Sequence, residues 1–572
     1  MTSVGIKSLA RWCLWTGIIL TLFKLWLTRG QPVYAIGMAG HDERLFLRLA
    51  ENIAQGHWLG DYDQMTLAKG PFYSIWVAFV FWIGIPLYFA QQLAYAGASA
   101  IFVRALAPSL RSKPAQLGFY LLLLWNPMSY EAPTLGRVLR QNIYTPTTIL
   151  IFAGLTALYY RRQESFRRQA SWAILSGVAI GAFWLTREES VWILPSILLL
   201  YGSVLIGAAR ISTSAMRTML RSGTVILAGA FLPFLIVASE NYRHYDWFGA
   251  VETNSSEFKA AYGAMVRVQE GKDLPFVPVT RKAREAMYAV SPTFAKLQPY
   301  FEGPIGRGWA DASSYVTKLP ADEREIGGGW LIWALRDTVK AAGFAHNARE
   351  AMDFYRRMAD EINRACDNGR LHAGPPRSGF LPRWQEGQTG DVMRTLLNFT
   401  DFFVSFKGFG AFPPPSIGGD DVLTLFRDMT EERLSPSVDA TNLPLPNQNV
   451  MSERKMGMLQ GIGRILRHLL LGLFYLAQLV AIVRLGQLAW TRQMTFAIVL
   501  AAAAWGGCLS YLLVNALVQV TSFPLIAVSS FAPAYPLLLV FIGAALWDGT
   551  AAWWPTRGTI GELKSPARRP LK

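Results

Sequence analysis

The sequence predicts an α-helical polytopic membrane protein, a bundle of about ten transmembrane helices with a helix-rich soluble domain inserted after the seventh. Three observations carry this expectation. Of the 572 residues 52% are hydrophobic, and the mean hydropathy is +0.23. Apolar runs of about 18 or more residues, a length that spans a hydrocarbon core, recur at both ends of the chain. The net charge of +16 is unevenly placed: residues 240–455 carry 26 Lys and Arg against 28 Asp and Glu, and the remainder carries 29 against 11. That excess sits at the ends of apolar runs, the positive-inside pattern, so it points to a membrane and away from nucleic acid.

The first run, 9–27, follows Lys7 and includes Arg11, which hold its start in the cytoplasm. No small-residue cleavage site follows, so it reads as an uncleaved span. Further spans are expected at 88–106, 117–130, 144–160, 171–186, 191–209, 224–239, 466–483, 494–516 and 525–546. Arg104/Arg111/Lys113, Arg161/Arg162/Arg167/Arg168, Arg210/Arg217/Arg221, Arg484/Arg492 and the tail with Lys564, Arg568, Arg569 and Lys572 mark the cytoplasmic face. Parity then places both termini inside, and 28–87, 131–143, 187–190 and 240–457 outside. The run 72–84 is short, follows Gly70–Pro71 and ends at Gly84–Ile85–Pro86. It reads as an interfacial or half-inserted helix that does not cross.

Four regions result. Residues 1–239 form a transmembrane module with an outer juxtamembrane loop, 28–87. Residues 240–457 form an extracytoplasmic soluble domain, 458–546 the C-terminal transmembrane helices, and 547–572 a basic cytoplasmic tail. In the soluble domain, Leu331, Ala334, Leu335 and Val339 fall on one helical stripe, as do Ala351, Phe354, Met358, Ile362 and Ala365. Asn368–Gly369 suits the C-cap of the second helix. Pro-rich pieces at 374–376, 412–415 and 443–446 favour irregular loops. The interrupted apolar run 399–412 is expected on the membrane surface.

Of the 11 acids outside 240–455, Asp42, Glu43, Glu51, Asp61, Asp63, Glu131, Glu188 and Glu189 face outward under this topology, and only Glu164, Asp548 and Glu562 face inward. A carboxylate near hydrocarbon is costly, so a gathering at one membrane face reads as a reaction or ion site. The bland competitor is that exposed loops are polar. Asp42 precedes the stripe Leu45, Phe46, Leu49, Ile53, which reads as an amphipathic helix on the outer face. As a favoured N-cap residue, Asp42 has a purely local explanation too.

The first span, then HDERLFLRLAENIAQGHWLGDYD from His41, then LAKGPFYSIW from Leu67 resemble the start of a polytopic glycosyltransferase of the GT-C superfamily. The bacterial aminoarabinose transferases and the protein O-mannosyltransferases are the families most alike. The resemblance covers residues 1–240 by element order and spacing, and seven spans before a large outer domain agree with it. It implies a GT-C-like bundle, Asp42 as catalytic base and Lys69 near a lipid phosphate. Two departures stand out: Lys69-Gly70-Pro71 replaces the usual Lys-Pro-Pro, and Phe531 to Pro536 lacks an Arg before Tyr535.

The chemistry is coherent without the resemblance. A sugar on a polyprenyl phosphate has an acidic leaving group, so departure needs charge stabilisation more than protonation. The acceptor hydroxyl needs a base, for which a positioned carboxylate suffices. Asp42 is the expected base. Lys69, Arg137, Arg140 and Arg187 are candidates for the phosphate, and Glu43, Glu131, Glu188 and His244 for substrate binding. Asp42, Glu131 and Glu188 are also candidate ligands for a divalent cation such as Mg or Mn; no other cofactor is indicated. Arg187-Glu188-Glu189 reads equally as a solvated turn, Arg137 and Arg140 as headgroup contacts, and His244 as part of a domain anchor.

The leading expectation is therefore a glycosyltransferase of the bacterial inner membrane. It would move a sugar from a polyprenyl-phosphate donor to a glycan, lipid or protein acceptor on the outer face, among membrane lipids and without nucleic acid. The rivals are a transporter or flippase of lipid-linked sugar, and a non-catalytic assembly protein. Spans two to seven hold few ionisable residues at mid-depth, where transport sites lie, which weighs against transport. Cys366 and His372 are too few for a zinc site, and GIGRIL at Gly461 lacks a dinucleotide fingerprint. No Walker A sequence is present. Cys13 and Cys508 lie in apolar spans, so no intramolecular disulfide is expected.

Overall fold

The computed structural model describes residues 3–380, 383–439, 450–491 and 494–553. The tail residues Lys564, Arg568, Arg569 and Lys572, together with Arg492 and the Pro-rich piece 443–446, lie outside the described residues. Among those described the regular structure is helical, with isolated bridges and no strands. The first half runs α1 (Ser3–Thr28), α2 (Glu43–Ala54), α3 (Phe72–Ile83), α4 (Leu87–Leu106), α5 (Lys113–Leu124), α6 (Gln141–Tyr160), α7 (Phe166–Thr186), α8 (Leu194–Ala209) and α9 (Thr213–Tyr245). The chain is a polytopic helical membrane protein: eight helices among the described residues are long and apolar enough to cross a bilayer, or nine if α3 and α4 form one bent span. Side chains such as Trp12, Leu198 and Leu227 are exposed on the outside of the bundle, as lipid-facing residues are.

The span expected at 117–130 is shorter than the sequence suggested. The 12 residues of α5 reach about 18 Å at the usual helical rise, well short of a bilayer core. Pro127 cannot extend the hydrogen-bond ladder, and the Asn126 side chain accepts from the Met128 amide (3.1 Å) to begin a separate turn, Pro127–Tyr130. The 12-residue α3 is equally short, and a 107° bend separates it from α4. Gly84, at φ +72°, makes that bend. Helices α7 and α9 approach closely because Gly177 has no side chain: a Cβ there would lie 2.5 Å from the Ile226 carbonyl oxygen.

Between the two sets of spans lie α10 (Ser256–Arg267), α11 (Arg281–Val290), α12 (Pro292–Ala295), α13 (Gln298–Phe301), α14 (Pro304–Thr317), α15 (Gly328–Ala341) and α16 (Ala348–Asp367). They share a core of their own, in which both sequence-read stripes are buried: Leu331, Ala334, Leu335 and Val339 of α15, and Ala351, Phe354, Met358, Ile362 and Ala365 of α16. Asn347 caps α16 by accepting from the Glu350 amide, and Gly369, at φ +69°, follows its C-cap.

The segment from 388 to 439 returns to the membrane module. There α17 (Gln388–Val404) packs along α20 (Phe496–Thr521), and α18 (Asp420–Thr430) packs on α2 and α3. The run 399–412 is accordingly not a surface layer: Phe399 and Phe403 pack on Phe531, Phe403 and Phe406 on Tyr535, and both Phe403 and Phe406 are fully buried. Its aromatic density finds protein partners that no local pattern could specify. The chain closes with α19 (Val450–Thr491), α20, α21 (Ala527–Phe531) and α22 (Tyr535–Trp553).

The stripe of α2 likewise meets protein. Leu45, Phe46, Leu49 and Ile53 are buried in a core shared with α3 and α18, so this helix is a packed floor and not a free interfacial helix. Asp42 stands at its head.

Candidate functional site

Asp42 occupies the N-cap position of α2, yet its side chain caps nothing. Its carboxylate instead accepts from Lys69 Nζ in an ion pair. The Asp42 side chain is 53% exposed at the mouth of a recess, whereas that of Lys69 is only 10% exposed. Lys69 Nζ lies 5.4 Å from the Phe46 ring and 5.6 Å from the Trp333 ring, a cation held between aromatic faces. The walls of the recess push the Asp42 carboxyl up by desolvation, but Lys69, Arg140 and Arg137 outweigh this and hold it below the ordinary Asp value. Burial holds Lys69 below the usual lysine value, against the pull of Asp42.

Two arginines on the turn entering α6 complete the recess. Arg140 Nη1 donates to both oxygens of Glu188 at 2.9 Å and to the Thr186 carbonyl at 2.9 Å. Arg137 Nε donates to Glu43 Oε1 at 2.5 Å, and Glu43 is fully buried. Burial raises the Glu43 carboxyl despite Arg137, while Glu188, also pushed up by burial, is brought below the ordinary Glu value chiefly by Arg140. Asp42, Glu43, Lys69, Arg137, Arg140 and Glu188 thus form one network of alternating charge, drawn from three separate loops.

The structure accounts for Gly70 between Lys69 and Pro71. A Cβ at Gly70 would lie 2.1 Å from the Leu185 carbonyl oxygen, and the Gly70 amide donates to Glu188 Oε1 at 3.0 Å. Proline here would collide with the end of α7 and remove the donor. The Lys-Gly-Pro sequence therefore closes the loop against Glu188 while aiming Lys69 at Asp42.

Three expected site residues lie elsewhere. Glu131 turns inward, fully buried, and accepts from the Thr134 amide (3.0 Å) and the Leu135 amide (2.7 Å), so it ties its own turn. Burial raises its carboxyl to about 7, against those amides and Arg137. Arg187 pairs with Glu189 near Tyr144 and Tyr511. His244 faces Glu240 at 3.6 Å, one turn back on α9. Asp42, Glu131 and Glu188 do not converge on a common point of coordination, and among the described residues no three His, Cys, Asp or Glu side chains group as ion ligands.

The roof of the recess was not read from the sequence. Trp333 of α15 covers Lys69, and Arg336 of the same helix pairs with Glu252 while donating from Nε to the Gln64 carbonyl at 2.7 Å. Tyr62 OH donates to Glu252 at 2.5 Å. His41 contacts the Trp309 and Trp333 rings, at 5.0 and 4.9 Å between centroids. The signal was present on α15: Trp333, Arg336 and Asp337 stand at i, i+3 and i+4, off the apolar stripe.

A cavity of about 260 Å³ lies elsewhere, between the loop around Glu270–Phe276 and Arg383–Asp391. None of the charged network lines it.

No protein-family model matches the chain, and no curated protein is similar to it in sequence. Among solved structures, the arabinosyltransferase EmbB from Mycobacterium smegmatis aligns with it at 12% identity and a TM-score of 0.25, over 94% of this chain and 41% of that one. The chain spans about two fifths of that protein's length. The functional reading accordingly rests on the residues of the recess.

Proposed function

We propose that this chain is a membrane glycosyltransferase of GT-C type, which takes a sugar from a polyprenyl-phosphate donor and places it on an acceptor hydroxyl at the outer face of a bacterial inner membrane. The observation that carries the reading is the Asp42 carboxylate. It forgoes the helix cap for which its position suits it, and is presented at an exposed recess beside Lys69, with Arg137 and Arg140 behind.

The chemistry follows from that geometry. Asp42, held below the ordinary Asp value, is ionised at neutral pH and free to accept a proton once Lys69 turns to a phosphate. The acceptor oxygen attacks the anomeric carbon as its proton passes to Asp42. The bond from that carbon to the phosphate oxygen breaks, and its electron pair leaves with the polyprenyl phosphate. Lys69 and Arg140 meet the added charge in a low-dielectric wall, where fixed cations act most strongly. Glu188 holds Arg140 and the Gly70 amide in place and is a positioning residue. Lys69 and Arg140 are the groups placed to meet the phosphate charge.

The test is direct. Purified protein in liposomes, given a polyprenyl-phosphate sugar labelled in the sugar, should release polyprenyl phosphate in step with transfer of label to an envelope acceptor fraction. Passage of intact sugar lipid across the bilayer without bond cleavage would favour a flippase instead.

A further inference from the structure

We infer that the acceptor is a saccharide, held on an aromatic platform made by Trp309 and Trp333 with His41 and Asp337 beside Asp42; this rests on the transferase reading above and names the substrate class at that same site.

The platform is built from the helical domain downward. Trp309 of α14 and Trp333 of α15 are both half-buried, and both rings contact the imidazole of His41 edge to face. Trp309 is fixed by its Nε1, which donates to Asp337 Oδ2 at 2.8 Å. His41 immediately precedes Asp42 in the chain, and Trp333 also lies over Lys69 Nζ. Two partly open indoles, a carboxylate and an imidazole therefore converge within one residue of the proposed base.

These groups suit one ligand class. A sugar ring presents a C–H face to an aromatic plane and a rim of hydroxyls to carboxylate and imidazole, and it needs both kinds of contact at once. A lipid chain would need an apolar groove, and here Asp337, His41 and Lys69 interrupt the aromatic surface. A peptide that binds by strand addition would need a free strand edge, and no strand exists among the described residues. Indole faces also lose little conformational freedom on binding, which favours them as anchors. His41, which both indoles contact, precedes Asp42 in the chain, so the platform adjoins the proposed base.

The experiment separates this inference from the transferase reading. Full-length purified protein in detergent is titrated by calorimetry with three free trisaccharides, those of α-linked glucose, mannose and arabinose. At least one should bind saturably. Trp309→Leu, which keeps apolar volume but removes the flat ring, should weaken that binding by about tenfold, the scale of one aromatic contact. Trp309→Phe should bind within about threefold of the parent. Unaltered binding in Trp309→Leu, or no saturable binding to any of the three, overturns the inference. Transfer to a lipid or peptide with no trisaccharide bound sinks the platform alone. Trisaccharide bound at Trp309 with no bond cleavage in the liposome assay sinks the transferase alone.

Discussion

Arg336 of the helical domain and Glu252 at the head of that domain meet at 2.6 Å with side chains 2% and 1% exposed, so an ion pair is sealed between α15 and the loop that carries Lys69. Glu252 is further tied to that loop through Tyr62, and its own amide donates to the Leu67 carbonyl at 3.0 Å. The pair is thus the latch that seats the roof over the recess.

Removing one partner leaves the other buried without a counter-charge. Arg336→Met should therefore destabilise the protein by about 3–5 kcal/mol, while the double variant Arg336→Met with Glu252→Gln should recover much of the loss. Thermal unfolding of the four members of this cycle measures it. Equal losses in the single and double variants would show that packing, not charge, is what Arg336 supplies.

Asp42→Asn decides between the local and the chemical account of that residue. Asparagine caps helices as well as aspartate does, so a capping role predicts unchanged behaviour. As a general base, Asp42 should instead contribute about 10²- to 10⁴-fold to the rate. Single-turnover transfer with donor bound is the measurement, with the melting temperature as control.

For Lys69 the expected effect is on the donor. Lys69→Met should weaken binding of a polyprenyl phosphate by about 1–3 kcal/mol, the scale of a lost charged hydrogen bond. Binding of an uncharged polyprenol should barely change. A parallel loss for both ligands would move Lys69 from phosphate contact to scaffold.

Glu131 gives the protein a pH dependence of definite sign. Burial raises its carboxyl from 4.5 to about 7, so between these values the folded state holds a proton that the unfolded state has lost. Its contribution to stability therefore declines as pH rises from about 4.5 and levels off above about 7, a total on the order of 3 kcal/mol. Glu131→Gln should flatten the fall in melting temperature between pH 5 and 8. A slope equal to the parent's would place the titration on other groups.

Sidedness is testable at an exposed position. Cys366 is buried and unsuitable as a reporter, whereas Asp322 is exposed. In a Cys366→Ser background, Asp322→Cys should react with an impermeant maleimide in spheroplasts with intact inner membranes. Reaction only after permeabilisation would put the helical domain in the cytoplasm and remove the outer-face reading.

Much of the recess is legible in the sequence. Asp42, Glu43, Lys69, Arg137, Arg140 and Glu188 were singled out by charge at the ends of apolar runs, and the structure joins them into one network. Glu131, Arg187 and His244 carried the same signal and were not joined. A carboxylate three residues before a free amide can satisfy itself, as Glu131 does with Thr134, and an arginine two residues from a glutamate can do likewise, as Arg187 does with Glu189. Proximity in sequence offered these residues a cheaper partner than the site.

The sequence by itself determined most of the helices, the membrane character and the charged turns, because each depends on a period of a few residues or on the cost of charge beside hydrocarbon. It also sufficed for the stripes of α15 and α16, which are buried as their spacing requires. Only the tertiary structure decided which turns meet. Lys69 reaches Glu188 through the Gly70 amide, Trp333 covers Lys69, and Arg336 closes on Glu252 and Gln64, all across separations that no periodicity records. The physical reason is that helix formation is a local balance of backbone bonds and side-chain pattern, whereas a buried charge selects its partner from whatever packing brings near.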